Sequence, residues 1–360
     1  MKIFVVGPAW IGDMVMSQSL YIRLKQQFPA AEIHVLAPDW CQTILDLMPE
    51  VDQHHPMPIN HGELAIAKRR QIGQSLQPYQ FDRAYILPNS LKSALIPYFA
   101  AIPKRIGWRG EMRYGLINDI RILDKAALPL MVERFVALAD DGVAASTTKT
   151  STTKTSSLAF AYPRLQLDQA TADHLLQQQG LSTDRPMIAF CPGAQYGPAK
   201  QWPSRHWASL GQRLIEIGYQ IWIFGSAADQ TIADEIQTAI KDRQHCQPLT
   251  GKTPLFESIH LLSMAAACVT NDSGLMHVAA ALSLPLVALY GSSSPAFTPP
   301  LANAKRVAMI SKQFACSPCF KRECPYGHLA CLNLITPEMV FDRLMPMIEA
   351  DQNEPGKKIF

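Results

Sequence analysis

Near its beginning the chain carries an acid at the position where phosphate-binding loops carry a lysine. The apolar residues 3–6 are followed by Gly7-Pro-Ala-Trp-Ile-Gly12-Asp13 and then by a helical pattern. In a Gly-x4-Gly-Lys loop the lysine and the backbone N–H groups hold an anion, which Asp13 would repel. A carboxylate at the start of a helix is instead kept ionised by the helix dipole and suits a general base that takes a proton from a substrate hydroxyl. Asp13 is therefore the candidate catalytic base, with Gly12 beside it.

The second half of the chain carries residues suited to holding a phosphate group. Asn271-Asp272-Ser273-Gly274 follows a short apolar stretch and leads into a helical pattern that includes His277. Asp272 or Ser273 can cap this helix, and the N–H groups of Ser273 and Gly274 lie at its positive end, where anions bind. His277, one turn further on, would face the same anion. A capped helix with a partly buried histidine is the alternative interpretation.

Two further loops in this half follow predicted strands. The first, Cys191–Ser204, is rich in glycine and proline and carries Lys200, a point charge suited to phosphate, although most loop lysines are simply exposed. The second, Phe224–Asp229, has small residues that would let a flat ring approach the backbone. Asp229 either binds a ribose diol or caps the next helix. Because α/β sheets bind ligands at the carboxyl ends of their strands, the loops together predict a bound nucleoside diphosphate.

Four positive charges fall within ten residues of the first half, with Trp108 among them and Tyr114 directly after them. Such a cluster either binds the phosphate and carboxylate groups of an acidic glycolipid or forms an ordinary solvated loop. The basic residues are Lys104, Arg105, Arg109 and Arg113.

The eight cysteines divide into two groups. Four lie in apolar stretches and are expected in the core. These are Cys41, Cys191, Cys246 and Cys268. The others follow a Cys-x2-Cys-x4-Cys-x6-Cys spacing, which could close a tetrahedral zinc site but does not repeat the short spacing of standard zinc knuckles, so free thiols are favoured. These are Cys316, Cys319, Cys324 and Cys331.

Apolar stretches alternate with helical patterns along both halves, which is the rhythm of a parallel sheet covered by helices. We expect two Rossmann-like domains, at residues 1–165 and 166–335. A C-terminal helix that begins after Thr336 and a tail complete the chain at 336–360, and we expect them to pack on the first domain. The Ser/Thr/Lys-rich residues 144–158 have too little apolar surface to offset their ordering entropy and are predicted to form a disordered loop.

Composition excludes several classes of protein. A chain of 360 residues with 48% apolar content is long enough for two cores. The net charge of +3 is too small for a nucleic-acid-binding protein, which needs a basic stripe. The sequence shows neither a signal peptide nor an apolar stretch of ~20 residues, so we expect a cytoplasmic protein.

Several of these segments together resemble the ADP-heptose:lipopolysaccharide heptosyltransferases of glycosyltransferase family 9. The resemblance covers nearly the whole chain apart from the Ser/Thr/Lys-rich stretch, and its first and last motifs favour the second transferase over the first. The segments are residues 7–16, 105–115, 192–194 with 200–203, 271–277 and 316–325.

The resemblance implies a GT-B fold, with two Rossmann-like domains facing each other across a cleft, and an inverting transfer. Asp13 would deprotonate a hydroxyl of the first heptose of the inner core, which then attacks the anomeric carbon of ADP-L-glycero-β-D-manno-heptose. Lys200, Ser273 and Gly274 would hold the diphosphate and stabilise the departing ADP without a metal ion or another cofactor. The chemistry is consistent, because the transition state needs charge stabilisation on the leaving group and a base at the acceptor.

The resemblance also assigns roles to the remaining candidates. Asp272 would orient hydroxyls of the donor sugar, and His277 would lie beside its phosphates. Gln195 and Tyr196 would form a donor-binding pair. The four basic residues between 104 and 113, and Gly12, would bind the heptosyl-Kdo2-lipid A acceptor, which implies peripheral contact with the cytosolic face of the inner membrane.

Other functions remain as alternatives. A dinucleotide-dependent oxidoreductase would use Asp39 as its ribose-binding acid, but the first turn lacks Gly-x-Gly-x-x-Gly. Heptosyltransferase I and a GT-B sugar-nucleotide epimerase are closer alternatives. A non-enzymatic partner in lipopolysaccharide assembly would have no need for a carboxylate at position 13.

Overall fold

The computed structural model of the protein describes residues 1–60, 62–140 and 158–352. The chain divides into two compact units, Met1–Gln166 and Leu167–Phe360. Each unit holds a six-stranded sheet in which neighbouring strands are parallel. The α/β fold class predicted from the alternation of apolar stretches and helical patterns is therefore confirmed.

The first unit contains six strands and five α-helices among the described residues. The strands are β1 (Lys2–Val6), β2 (Glu32–Ala37), β3 (Gln53–Pro56), β4 (Arg83–Ile86), β5 (Lys104–Trp108) and β6 (Asp119–Arg121). The helices are α1 (Ile11–Gln27), α2 (Gln42–Asp46), α3 (Ile66–Leu76), α4 (Leu95–Phe99) and α5 (Met131–Val136). The strand order is β3-β2-β1-β4-β5-β6.

The centre of this sheet forms from the most apolar segments of the unit. β1 and β2 are buried almost throughout, as expected for parallel strands covered on both faces. They run in register, with Val6 opposite Leu36, and both residues pack in one core cluster with Ile86 of β4. The segments that follow β1 and β2 therefore lie side by side at the carboxyl edge of the sheet.

The second unit repeats the same plan. Its strands are β7 (Met187–Cys191), β8 (Gln220–Ile223), β9 (Cys246–Pro248), β10 (Ala267–Asn271), β11 (Leu286–Tyr290) and β12 (Val307–Ser311). Its helices are α6 (Gln169–Gln179), α7 (Ser204–Glu216), α8 (Gln230–Ala239), α9 (Leu255–Ser263), α10 (Gly274–Ala281), α11 (Ala330–Asn333) and α12 (Pro337–Gln352). The strand order is β12-β11-β10-β7-β8-β9.

The two sheets share one topology, in which the first strand of each unit pairs with its second and its fourth. The strand order reverses between β1 and β4 in the first unit and between β7 and β10 in the second. Doubly wound sheets bind ligands at this reversal, outside the carboxyl ends of the strands. The turn after β1 and the loops after β7 and β10 are thus the places where each unit can hold a ligand.

The C-terminal helix lies in the second unit, which differs from the expectation that it packs on the first domain. Val340, Leu344 and Ile348 of α12 are fully buried in the core cluster of the second unit, together with Trp202 and Trp207. The physical reason is that these three apolar residues, each four positions from the next, form a stripe on one face of α12 that completes the cover over α7 and β11. The helix begins as predicted, since Thr336 Oγ1 accepts a hydrogen bond from the Met339 N–H at 3.4 Å.

Two predictions from the sequence, a disordered loop and the absence of a membrane-spanning segment, can be compared only with the described residues. The predicted disordered loop at 144–158 lies outside them except for its last residue. Among the helices of the described ranges, none combines the length and the apolar character needed to cross a bilayer.

Candidate active site

Asp13 lies in the first turn of α1, directly after the turn that follows β1. The Gly7 N–H donates to the Leu36 carbonyl at 2.9 Å, and a Cβ on Gly7 would lie 2.8 Å from the terminal carbon of Met14, so only glycine fits without rearrangement. Trp10 is the extended N-cap residue of α1. The half-buried Asp13 carboxylate therefore stands at the positive end of a 17-residue helix, as the sequence predicted.

The segment after β2 lies against the same turn. Cys41 is fully buried, and its thiol donates to the Ala9 carbonyl at 3.7 Å. Burial raises the pKa of the Cys41 thiol to about 12, and the negative charge of Asp13 contributes in the same direction. The Asp13 carboxylate is thus close enough to the β2 segment for its charge to act there.

In the second unit, a buried ion pair joins the loop after β7 to the end of β10. Lys200 Nζ lies 2.6 Å from Asp272 Oδ2, with 17% and 5% of the two side chains exposed. The Ser293 hydroxyl donates to the same carboxylate oxygen. Asp272 Oδ2 thus accepts from two side chains and holds Lys200 in place, while the contact of Asp272 with donor-sugar hydroxyls stays a prediction.

The N-terminus of α10 lies directly after Asp272. Its N-cap residue, Ser273, is extended, and its side chain makes no capping hydrogen bond. Asn271 ties the preceding loop in place: its amide donates to the Pro192 carbonyl at 2.5 Å and accepts from the Trp202 N–H at 3.1 Å. The N–H groups in the first turn of α10, an eight-residue helix, thus lie beside the loop that carries Lys200. Asn271 holds this loop at Pro192 and at Trp202.

His277 lies one turn inside α10 and is buried. Burial is the main cause that lowers the pKa of His277 to about 4; the negative charge of Asp272 opposes this shift and the positive charge of Lys200 adds to it. Its Nδ1 atom has no hydrogen-bond partner among the described residues. His277 is therefore a neutral imidazole at neutral pH, able to exchange a hydrogen bond with a ligand but not to supply a charge.

Tyr196 supports the Lys200 side chain rather than standing free. The Lys200 ammonium lies 5.0 Å from the centroid of the Tyr196 ring, and the Arg322 guanidinium lies 5.5 Å from it, both in cation–π contact. The Tyr196 hydroxyl donates to the Phe320 carbonyl at 2.7 Å. Its predicted partner in donor binding, Gln195, is exposed on the same loop.

The loop that carries the four clustered cysteines packs against the Lys200 loop. The Ala199 N–H donates to the Arg322 carbonyl at 3.0 Å, and the Phe320 N–H donates to the Ser292 carbonyl at 2.7 Å. Gly197 lies so close to the Arg322 backbone that a Cβ would collide with it. The cysteine loop is therefore part of the scaffold that positions Lys200.

All four cysteines of this loop line one cavity, and none forms a disulfide. Backbone N–H groups, first that of Leu329, lower the pKa of the Cys324 thiol. Burial, followed by the neighbouring thiols, raises the pKa of Cys331. Within the described ranges, no three Cys, His, Asp or Glu side chains are grouped as metal ligands. The other four cysteines are buried, which confirms their predicted place in the core.

Comparisons with known proteins identify the group to which these features belong. The sequence profile of "Glycosyltransferase family 9 (heptosyltransferase)" matches residues 69–330 of the chain. The chain belongs to glycosyltransferase family 9. It is therefore a glycosyltransferase, as the resemblance of its motifs predicted.

Individual members of family 9 match over almost the full length. The chain is 49% identical to lipopolysaccharide heptosyltransferase 2 of Escherichia coli strain K12 over 351 residues, covering 97% of this chain and 99% of that one. It is 44% identical to lipooligosaccharide heptosyltransferase 2 of Haemophilus ducreyi, with 97% and 99% covered. The solved structure of E. coli ADP-heptose lps heptosyltransferase II matches with a TM-score of 0.86 at 46% identity, covering 98% and 100%. These matches confirm the GT-B fold class.

In this family 9 transferase, Asp229 caps the helix that follows it, which is one of the two roles expected from its position in the sequence. Its Oδ2 atom accepts from both the N–H and the hydroxyl of Ser226, at 2.8 Å each, which closes a capping box before α8. The carboxylate also packs against Gly193. Asp229 therefore acts as a cap in this structure, and its contact with a ribose stays a prediction.

The basic cluster is divided by the structure, because β5 runs through it. Arg113 is 2% exposed and donates to the Trp108 and Pro88 carbonyls at 2.5 and 2.7 Å. The Arg105 side chain donates to the Ile102 and Leu116 carbonyls. Both guanidinium groups donate hydrogen bonds to main-chain carbonyl oxygens of the first unit. Their donors are therefore used within the protein, and the predicted acceptor-binding role of these two residues stays a prediction.

The other two basic residues of the cluster lie nearer to solvent. Lys104 is half-buried, and its Nζ lies 3.4 Å from Asp119 Oδ2. The Arg109 side chain is exposed and makes no hydrogen bond or ion pair with another described residue. Arg109 therefore retains the predicted acceptor-binding role as a proposal.

Replacing Arg113 with Met should lower the free energy of unfolding by about 3 kcal/mol, because several buried acceptors lose a charged donor. Denaturant titration followed by circular dichroism measures the change. Arg109→Met is the matched control and should shift stability by less than about 0.5 kcal/mol. A stable Arg113→Met protein that has lost affinity for acceptor would restore the ligand-binding interpretation of Arg113.

Ser293 and Asn271 organise the site, although neither is predicted to do so from the sequence. Ser293 belongs to Gly291-Ser-Ser-Ser, a run of small hydroxyl residues directly after β11. Its position at the carboxyl end of a strand was a usable signal. Asn271 carried no comparable signal, because its partners lie 69 and 79 residues away.

Proposed function

We propose that this protein transfers L-glycero-D-manno-heptose from ADP-heptose to the first heptose of the lipopolysaccharide inner core, with inversion at the anomeric carbon. The proposal rests above all on one observation: Lys200 is fixed beside the uncapped N-terminus of α10 in a chain that matches heptosyltransferase 2 proteins over nearly all of its length. The site supplies a cation and backbone N–H groups, which is what a nucleoside diphosphate leaving group requires.

On the donor side, the departing ADP gains negative charge as the glycosidic bond breaks. Lys200 and the N–H groups of Ser273 and Gly274 would stabilise that charge, and His277 would donate a hydrogen bond to a phosphate oxygen. Asp272, Ser293 and Tyr196 hold Lys200 before the donor binds, so little reorganisation is needed in the transition state.

On the acceptor side, an inverting transfer needs a base that removes the proton from the attacking hydroxyl. Asp13 stands at the carboxyl edge of its sheet, and α1 favours its ionised form. Gly12, the residue before Asp13, would contact the acceptor, and the exposed Arg109 would bind one of its anionic groups.

Lys200 and the α10 dipole also provide the positive charge that other transferases obtain from a divalent cation. We therefore propose a reaction without a metal ion or another cofactor. An acceptor embedded in a bilayer would bring the enzyme into peripheral contact with the cytosolic face of the inner membrane.

The alternatives are less well supported. The E. coli heptosyltransferase 1 relative is 23% identical over 302 residues, far less than the heptosyltransferase 2 relatives. Membership of a transferase family disfavours both an epimerase and a non-enzymatic assembly partner.

The test is to incubate the purified protein with ADP-heptose and acceptors that carry no, one or two heptoses, and to measure the product masses. Only the mono-heptosyl acceptor should gain one heptose, with ADP released in equal amount, and the rate should be the same with and without EDTA. Extension of the heptose-free acceptor would instead support heptosyltransferase I. Loss of activity in EDTA, restored by a divalent cation, would overturn metal independence.

A further inference from the structure

Two large aromatic side chains are exposed in the two segments that meet at the turn before Asp13. Trp10, three residues before it, is 43% exposed, and Trp40, in the 3-10 helix Asp39–Cys41 after β2, is 52% exposed. Tryptophan is usually well buried because its side chain carries a large apolar area. Two exposed rings at a ligand-binding edge of a sheet therefore indicate a recognition surface.

Trp40 is fixed to the turn that carries Asp13. Its indole N–H donates to the Ala9 carbonyl at 2.8 Å, and the adjacent Cys41 is fully buried and contacts the same carbonyl. The single polar atom of the indole is thereby used within the protein. The exposed part of Trp40 is an apolar aromatic face whose position is set before any ligand arrives.

We propose that Trp40 is the stacking surface for the sugar ring of the acceptor, with Trp10 bordering the same subsite. The inference rests on the proposed function, in which Asp13 deprotonates an acceptor hydroxyl. A general base must lie about 2.6–3.2 Å from the oxygen it deprotonates, which places the acceptor sugar beside the turn that carries Trp10 and to which Trp40 is hydrogen-bonded.

The chemistry of the two surfaces is complementary. A pyranose ring presents a face of C–H bonds, and the face of an indole is electron-rich, so the two attract while the sugar hydroxyls stay at the edge for hydrogen bonds. The adenine of the donor also stacks on aromatic rings, but the donor is assigned to Lys200 and α10 in the second unit. Trp40 therefore recognises the acceptor and determines its affinity rather than the rate of the chemical step.

Trp40→Ala should raise the KM for the mono-heptosyl acceptor about tenfold, while kcat and the KM for ADP-heptose stay within about twofold. Trp40→Phe keeps a ring but loses the indole N–H, and it should recover most of the affinity. The matched control is Tyr98→Ala, since Tyr98 is also exposed but lies against Arg105 at the amino end of β5. Its kinetic constants should equal those of the wild type.

Binding without turnover separates this inference from the proposed function. Calorimetry with the deacylated mono-heptosyl acceptor, in the absence of donor, should show the same tenfold weakening in Trp40→Ala and none in Tyr98→Ala. If the wild type binds this acceptor but makes no product, the proposed function fails and the stacking role stands.

Three results would overturn the stacking role. One is an unchanged acceptor affinity in Trp40→Ala. Another is a loss of kcat in both Trp40 variants with KM unchanged, which would show that the indole only holds the turn through Ala9. The third is an effect seen with the acylated acceptor and with anionic phospholipid vesicles but not with the deacylated acceptor, which would assign Trp40 to the membrane.

Discussion

Asp13→Asn should lower kcat by about 10²–10⁴-fold, the usual contribution of a general base. The amide has the same size as the carboxylate and keeps the start of α1, but it cannot take the proton of the acceptor hydroxyl. The KM for ADP-heptose should stay within about twofold, because the donor-binding residues belong to the second unit. Initial rates of ADP release at saturating acceptor measure the first effect, and calorimetry with ADP checks the second.

A second acid in the first unit controls for the loss of a negative charge. Asp46, in α2, is 58% exposed and lies 3.1 Å from His54, so Asp46→Asn removes an acid away from the turn after β1. This variant should turn over at the wild-type rate. Asp13→Asn with more than about a third of the wild-type kcat would remove Asp13 as the base and leave the acceptor hydroxyl without one among the assigned residues.

The elements that position Asp13 could be predicted because their signals are local. β1 is an uninterrupted apolar stretch, and the glycine turn and acid that follow are adjacent in the sequence. The same holds for β7 and β11, which are buried at every residue. Buried parallel strands are apolar throughout, so each reveals itself without reference to the rest of the chain.

Other parts of the fold depend on partners that are distant in sequence. β5 begins with Lys104 and Arg105, so its sequence is also compatible with a basic loop. The neighbouring residues in the sequence do not show that Arg105 donates to main-chain carbonyls. β3 carries His54 and His55, and His55 is buried because it stacks on His34 of β2, with ring centroids 5.2 Å apart, and packs against the rings of Phe4, Tyr79 and Phe81. Polar residues that satisfy one another across a sheet carry no apolar signal.

The roles of Asp272 and Lys200 could not be separated from the sequence for the same reason. They lie 72 residues apart and meet only because β7 and β10 are neighbours in the sheet. The sequence placed both residues at a phosphate site. It could not show that the Asp272 carboxylate pairs with the Lys200 ammonium group. Whether Asp272 acts through Lys200 or contacts the donor directly can be measured.

Lys200→Met should reduce kcat/KM for ADP-heptose by roughly 10²–10³-fold, the loss seen when one preorganised charge-stabilising donor is removed. It should also destabilise the fold by about 3–5 kcal/mol, because the Asp272 carboxylate stays buried without its cation. Asp272→Asn should reduce kcat/KM to a similar degree, since Lys200 is no longer held in place. Denaturant titration and steady-state kinetics measure the two quantities.

The double variant Lys200→Met/Asp272→Asn distinguishes a positioning role for Asp272 from a direct contact with the donor. If Asp272 acts only through Lys200, its loss costs nothing further once Lys200 is gone, so the double variant should have the kcat/KM of Lys200→Met. Its stability should exceed that of Lys200→Met, because the uncompensated charge has been removed. Ser293→Ala, which leaves the ion pair intact, should have a smaller effect on both quantities. Losses in kcat/KM that multiply in the double variant would show that Asp272 touches the donor sugar itself, as the motif resemblance first implied.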